Sequence, residues 1–247
     1  MSRWQLIGLV IGVYALGLVA MAPASLIDSG LQQATEGRLR LADARGTLWS
    51  GAGQLEVRDW LHRTAVARNI VWRVRPLYFL RAQLRAEIVL DQAAQPFPVT
   101  LSLSQIVVAN ADISLPASAL GLGEPKLAPL GLTGDVQLHV ARLALGREAI
   151  EGNATLHWRG AGSAFTQVSP LGDYELRFEA KDASVRASLR TLQGPLQLDG
   201  QGSWSMGSKP AFLGTARIAP EARQQLAPLL RMIAVERGEG NFELQLK

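Results

Sequence analysis

Three histidines, His62, His139 and His157, are the side chains best suited to hold a metal or relay a proton, and none has a second ligand at metal-binding spacing. His139 and His157 fall in alternating stretches with no carboxylate pattern beside them. The nearest approach to a nucleophile elbow, Trp49-Ser50-Gly51, lacks the first glycine of Gly-x-Ser-x-Gly. No phosphate-cradling GxxxxGK[ST] loop occurs. Aspartate and glutamate are scattered, with no pair spaced to divide acid and base work. Cysteine is absent, which removes disulfides and thiolate chemistry together. The residues therefore predict no catalytic, cofactor-binding or metal site, no cofactor, and a protein that is not an enzyme.

What does concentrate is positive charge. Residues 38–85 hold ten arginines (Arg38, Arg40, Arg45, Arg58, Arg63, Arg68, Arg73, Arg75, Arg81 and Arg85) against Asp43, Glu56 and Asp59. Lysine is absent there, and many of the arginines alternate with apolar residues as on a solvated strand face. That pattern does not favour nucleic acid. It offers a candidate contact surface for anionic lipid headgroups or an acidic partner. Of the six tryptophans, Trp4 suits a membrane interface. Trp49, Trp60, Trp72, Trp158 and Trp204 lie in or beside strand-like segments, where sheet packing is the ordinary role and stacking on a glycan such as peptidoglycan the sharper one.

These residues need positioning elements, and the first is apolar. Trp4 to Ala24 is a run of 21 residues without a formal charge, long enough as a helix to cover about 30 Å. The spacing predicts a transmembrane anchor over 4–24, with 1–3 cytoplasmic and 25–247 a β-rich periplasmic domain. Apolar Leu26, Ile27 and Leu31 would let the helix continue to about Thr35. Ala22-Pro23-Ala24 also has the small-x-small form of a cleavage site, so a cleaved signal peptide is the competing reading. The run is longer than a usual signal core of about 7–15 residues, which favours retention. Arg3 and the amino terminus favour a cytoplasmic start.

After the anchor, period-two alternation recurs: Ile70/Trp72/Val74, Leu84/Ala86/Ile88/Leu90, Val136/Leu138/Val140, Tyr174/Leu176/Phe178 and others. Glycine-bearing breaks separate these segments, and no long amphipathic helix intervenes to make parallel crossovers. The expected fold is mainly β: a large, twisted, mostly antiparallel sheet of about a dozen or more strands, rolled or partly closed. A single turn is expected near 116–120, a candidate linker at 117–131, and one short C-terminal helix opening at Pro220. Its stripe is Leu226, Leu229, Leu230 and Ile233, and Pro228 should kink or divide it.

The chain also resembles a known family, type II secretion system protein N, also called general secretion pathway protein N. The motif Gly46-Thr47-Leu48-Trp49-Ser50-Gly51 carries the likeness, followed by Val71-Trp72, Arg75-Pro76-Leu77 and the strand 84–90. It resumes at Leu132-Thr133-Gly134, Leu171-Gly172-Asp173-Tyr174-Glu175-Leu176 and Gly194-Pro195-Leu196-Gln197-Leu198-Asp199-Gly200. One departure lies at Arg81-Ala82-Gln83-Leu84, where the family pattern has a glycine-bearing step. The resemblance implies a single-pass inner-membrane accessory subunit of the machine that exports folded proteins across the outer membrane. Its implied partners are other inner-membrane secretion subunits. It carries over no functional residues; Gly46, Thr47, Leu48, Trp49, Gly51, Trp72, Pro76, Leu77, Leu171, Gly172, Tyr174, Gly194, Pro195 and Leu196 read as fold determinants.

Two functions follow. The first is a tethered scaffold that recognises other subunits through strand edges or the basic 38–85 region. The second is a binder of lipid or another apolar ligand in a β-sheet trough, because one convincing soluble helix is too little to cover the apolar face of a large sheet.

Overall fold

A computed structural model describes residues 3–58, 64–91, 95–123, 128–147, 149–205, 208, 211–238 and 240–246. Trp60, His62 and Arg63 lie outside the described residues. The chain forms two compact units, 1–96 and 97–247. The division falls at 96/97, and the candidate linker 117–131 lies within the second unit.

The first unit opens with α1 (Arg3–Ala20) and α2 (Ser25–Ala34). The expected continuous helix from Trp4 to about Thr35 is thus broken. Pro23 has no N–H to continue a helix and disfavours helical backbone at Ala22 before it. The 18 residues of α1 span about 27 Å at 1.5 Å each. Among the described residues, no helix is long and apolar enough to cross a membrane.

Strands β1 (Leu39–Gly46), β2 (Ser50–Arg58), β3 (Thr64–Arg75) and β4 (Gln83–Leu90) follow as an antiparallel meander paired in sequence order. α2 lays Ile27 and Leu31 over Leu41 and Trp72, with Ala24, Ala44, Ile70 and Val74 completing this small core. Its Asp28 carboxylate accepts the Leu41 backbone N–H at 2.7 Å and the Gln32 amide at 2.7 Å, fixing the helix over β1.

A 3-10 turn, Pro76–Arg81, joins β3 to β4. Proline starts it, and Ala82 ends it in the left-handed conformation at φ 52°. This is the step where the family pattern carries glycine. Alanine keeps the turn and bears the steric cost of Cβ at positive φ. Ala82→Gly is expected to raise stability by about 1 kcal/mol, read as a higher denaturant midpoint in detergent.

The second unit contains β5 (Phe97–Ser102), β6 (Gln105–Pro116), α3 (Leu120–Gly123), β7 (Leu132–Gly146), β8 (Ile150–Ser163), β9 (Gly172–Lys181), β10 (Ser184–Gln193), β11 (Leu196–Ser205), β12 (Ala211–Ile218), α4 (Arg223–Ile233), β13 (Val235–Gly238) and β14 (Asn241–Leu246). A 3-10 turn at Ala117–Ala119 fulfils the expected turn near 116–120. The strands run as an antiparallel meander from β5 to β12, then β14, with β13 outside it. Among the described residues the pairing order does not return to its first strand, so the sheet does not close into a barrel.

α4 continues through Pro228 without being divided. Its Leu226 and Leu230 are buried against Leu171, Leu196, Ala216, Ile218 and Phe242. The helix therefore covers one part of the apolar face of this sheet.

Candidate functional site

The motif 46–51 forms the β1–β2 hairpin turn, and its own polar atoms build it. Thr47 donates its backbone N–H to the Ser50 carbonyl at 2.9 Å, while its hydroxyl oxygen accepts the Trp49 and Ser50 N–H groups at 3.3 and 3.2 Å. Gly51 sits opposite Trp72 in the β2–β3 register. A Cβ on Gly51 would stand 2.5 Å from Cζ2 of Trp72 and closer still to the Arg45 carbonyl oxygen. Trp72 is buried and gives its indole N–H to the Thr47 carbonyl at 3.3 Å.

The turn also grips the chain leaving α1. Trp49 donates its indole N–H at 2.9 Å to the Val19 carbonyl in the last turn of α1, which also accepts the Ala22 N–H at 3.2 Å. Leu48 donates to the Ala22 carbonyl at 2.8 Å, Ala24 donates to the Gly46 carbonyl at 3.2 Å, and Pro23 pairs with Thr47 as an isolated antiparallel bridge. Ala24 is only 2% exposed. The residues that resemble a cleavage site are thus bonded to the β1–β2 turn through one isolated bridge and its flanking hydrogen bonds.

The hairpins sort the sequence cluster of arginines into two ends. Arg45, Arg73, Arg75, Arg81 and Arg85 lie toward the end where α1 leaves, as the registers Gly46–Gly51, Ser50–Arg73 and Arg75–Arg85 require. Arg38 and Arg58 lie at the opposite end, where the Arg58 N–H meets the Arg38 carbonyl. Arg40 faces Glu56 and Arg68 faces Leu55 in the strand registers. Arg58 pairs with Glu56 at 3.1 Å and Arg68 with Asp91 at 3.1 Å. The nine arginines among the described residues therefore lie at different places along the strands; Arg63 is outside the described residues.

The second group of motif residues sits in the other unit. Gly172 and Gly194 pack backbone to backbone: a Cβ on Gly172 would lie 2.7 Å from the Gln193 carbonyl, and Gly194 holds φ +128°. The close approach brings the Tyr174 hydroxyl to the Leu196 carbonyl at 2.9 Å, both inside the core. Burial raises the pKa of this phenol, with the nearby Asp173 carboxylate adding to the shift. Pro195 offers its carbonyl to the Ala219 N–H at 2.8 Å, which positions the lead into α4. Tyr174→Phe leaves the buried Leu196 carbonyl without its donor, and a loss of about 1–2 kcal/mol is expected in urea unfolding.

Register brings together charges that lie far apart in sequence. His157 on β8 and Arg190 on β10 both stand opposite Glu175 on β9. The Glu175 carboxylate, 5% exposed, meets His157 Nε2 at 3.1 Å, Arg177 Nε at 2.6 Å and Arg190 Nε at 2.8 Å. His139 likewise meets Asp112 across β6–β7 at 2.6 Å. Both histidines thus have carboxylate partners on the next strand, which sequence distance hid and strand register alone could have found. Among the described residues, no three metal-ligating side chains gather into a metal site.

Burial pushes the Glu175 carboxyl up, but the hydrogen bonds from Arg190, Arg177 and His157 together outweigh it, and the net shift is downward. A carboxyl lowered on folding stabilises above its unfolded pKa of about 4.3 and loses that contribution as pH falls through the folded value. Glu175→Leu is expected to cost about 1–2 kcal/mol at neutral pH, less than for a fully buried pair, because both guanidiniums stay half exposed. Thermal melts of the variant should also show a shallower fall in stability below pH 4 than the parent.

Comparison with known proteins supplies the family. The model for "Type II secretion system (T2SS), protein N" matches residues 37–245. A protein of Aeromonas hydrophila named "Type II secretion system protein N" is 32% identical over 122 residues, which cover 47% of this chain and 47% of that protein. The match thus spans about half the length of the curated relative. No solved structure matches. With nearly all of the strand-built chain inside the family match, from the residue before Arg38 into β14, this chain belongs to the type II secretion system protein N family.

Proposed function

We propose that this chain is a non-enzymatic accessory component of type II secretion, tethered to the inner membrane by the apolar segment 4–24. The body, 25–247, stands on the periplasmic side and recognises other inner-membrane secretion subunits. The observation that carries this reading is the grip of the hairpin on residues 19–24. Cutting after Ala24 would strip from the domain a segment that the hairpin turn holds by one bridge and several hydrogen bonds, so the tether and body act as one piece. The apolar side chains of α1 support it too: Ile7, Val10, Ile11, Val13, Tyr14 and Leu18 are exposed on several sides of the helix.

The arginines at the α1 end of the first unit are the proposed contact surface, since Arg45 and Arg73 are exposed there. Photocrosslinkers placed at these two positions in cells test the reading. Adducts with inner-membrane secretion subunits support it. Repeated failure to recover any adduct or co-purifying subunit, with the protein intact, contradicts it.

One observation favours a second reading, an apolar ligand. Beyond α4, the apolar face of the second sheet presents Leu138, Leu156, Leu176, Phe178, Leu189 and Phe212, all half-buried. Mass spectrometry of the protein released gently from detergent decides it: bound lipid beyond the detergent shell supports a trough, and none removes it.

A further inference from the structure

We infer that the 3-10 turn Pro76–Arg81 is a second membrane contact, seated in the lipid interface beside the point where α1 leaves it. The inference rests on the tether reading above and adds a specific surface to it. Leu77 is 79% exposed and Phe79 43% exposed, although both belong to a six-residue turn rich in large apolar side chains. An isolated exposed leucine means little. Here the exposure is tied to the end of α1 by contact. Trp49, whose indole N–H holds the Val19 carbonyl at 2.9 Å, meets the Phe79 ring edge-on with centroids 5.6 Å apart. One indole therefore bridges the last turn of the helix and the exposed turn, so the two lie at one level.

The polar surroundings suit a lipid interface. Arg81 closes the turn, and Arg73 stands opposite Ser50 at the same end of the sheet; both are exposed. Their long stems can lie along acyl chains while the guanidiniums reach phosphate. Tyr78 accepts a hydrogen bond from Arg85 at 3.0 Å, and the guanidinium lies 5.3 Å over its ring. Tryptophan, tyrosine and arginine at one level are the side chains that the headgroup region favours.

The chain has no cysteine, so a single introduced thiol can carry an environment-sensitive fluorophore in the full-length protein. Three variants are compared in vesicles of phosphatidylethanolamine and phosphatidylglycerol: Leu77→Cys, Val13→Cys in the middle of α1, and Ala67→Cys. Ala67 is exposed and lies eight residues, about 26 Å, along β3 from Arg75. The expected result at position 77 is a blue shift and loss of emission to a spin label near the headgroups. Position 13 should respond to a label deep in the acyl chains, and position 67 to neither. Position 77 behaving like position 67 while position 13 is quenched overturns this inference and leaves the tether standing. Silence at both 13 and 77 overturns the two together.

Discussion

Gly51→Ala is expected to unfold the first unit at growth temperature or bring it close to doing so. The added methyl meets two groups that cannot both give way. One is the Arg45 carbonyl, held in the β1–β2 ladder next to Gly46; the other is the buried Trp72 ring, whose Cζ2 stands 2.5 Å from the new Cβ. Moving the backbone opens the hairpin, and moving the indole breaks its bond to the Thr47 carbonyl and displaces Leu41 and Ala24 from the core. Overpacking of this kind costs about 1–3 kcal/mol where only flexible side chains must move, and backbone collision takes it toward the upper end or beyond. Limited proteolysis in detergent is the readout. Cleavage near the α1 exit should become much faster than in the parent, while Ser50→Ala at the neighbouring position should leave it nearly unchanged.

Leu226→Ala is expected to be as damaging in the second unit. Leu226 is 0% exposed and fills the space between α4 and the sheet, with Leu230 and Phe242 as neighbours. Removing three carbons from such a site costs about 2–5 kcal/mol, the larger part when the surroundings cannot collapse. Collapse is limited here because the sheet side of the cavity is fixed by the Tyr174 bond to Leu196 and by the Gly172–Gly194 approach. A urea titration following tryptophan emission should show the lower midpoint. Leu226→Met, which nearly conserves volume, should restore most of the loss.

Much of this architecture is legible in residue order, for identifiable reasons. Alternation at Ile70/Trp72/Val74 and Tyr174/Leu176/Phe178 marks strands because a sheet repeats every two residues, and the lack of crossover helices leaves antiparallel neighbours as the natural pairing. The C-terminal helix was legible from Leu226 and Leu230, although Pro220–Ala222 form a 3-10 turn and α4 itself opens at Arg223. Pro228 was the exception: it falls within α4, where burial of Leu226 and Leu230 holds the helix through the missing N–H.

The site was much less legible. Gly46 and Trp49 could be read as turn and packing residues, but their hold on Ala24 and Val19 joins residues distant in sequence, and no periodicity reports that. The same is true of Glu175, whose partners His157 and Arg190 are neighbours only once the register of β8, β9 and β10 is set. The arginine cluster misled in the opposite sense. The strands run antiparallel, so arginines near in sequence reach opposite ends: Arg38 lies just before β1 begins and Arg45 near the far end of that strand.

The hairpin holds the chain leaving α1 against the strand-built body, and the size of the mature polypeptide tests most directly whether residues 4–24 stay with it as the proposed tether. Membranes washed with alkaline carbonate are extracted, and the intact mass of the protein is measured. The account predicts a pellet-bound chain that still contains residues 4–24. A soluble periplasmic chain beginning at Ser25, with its strand-built body still folded, would contradict it.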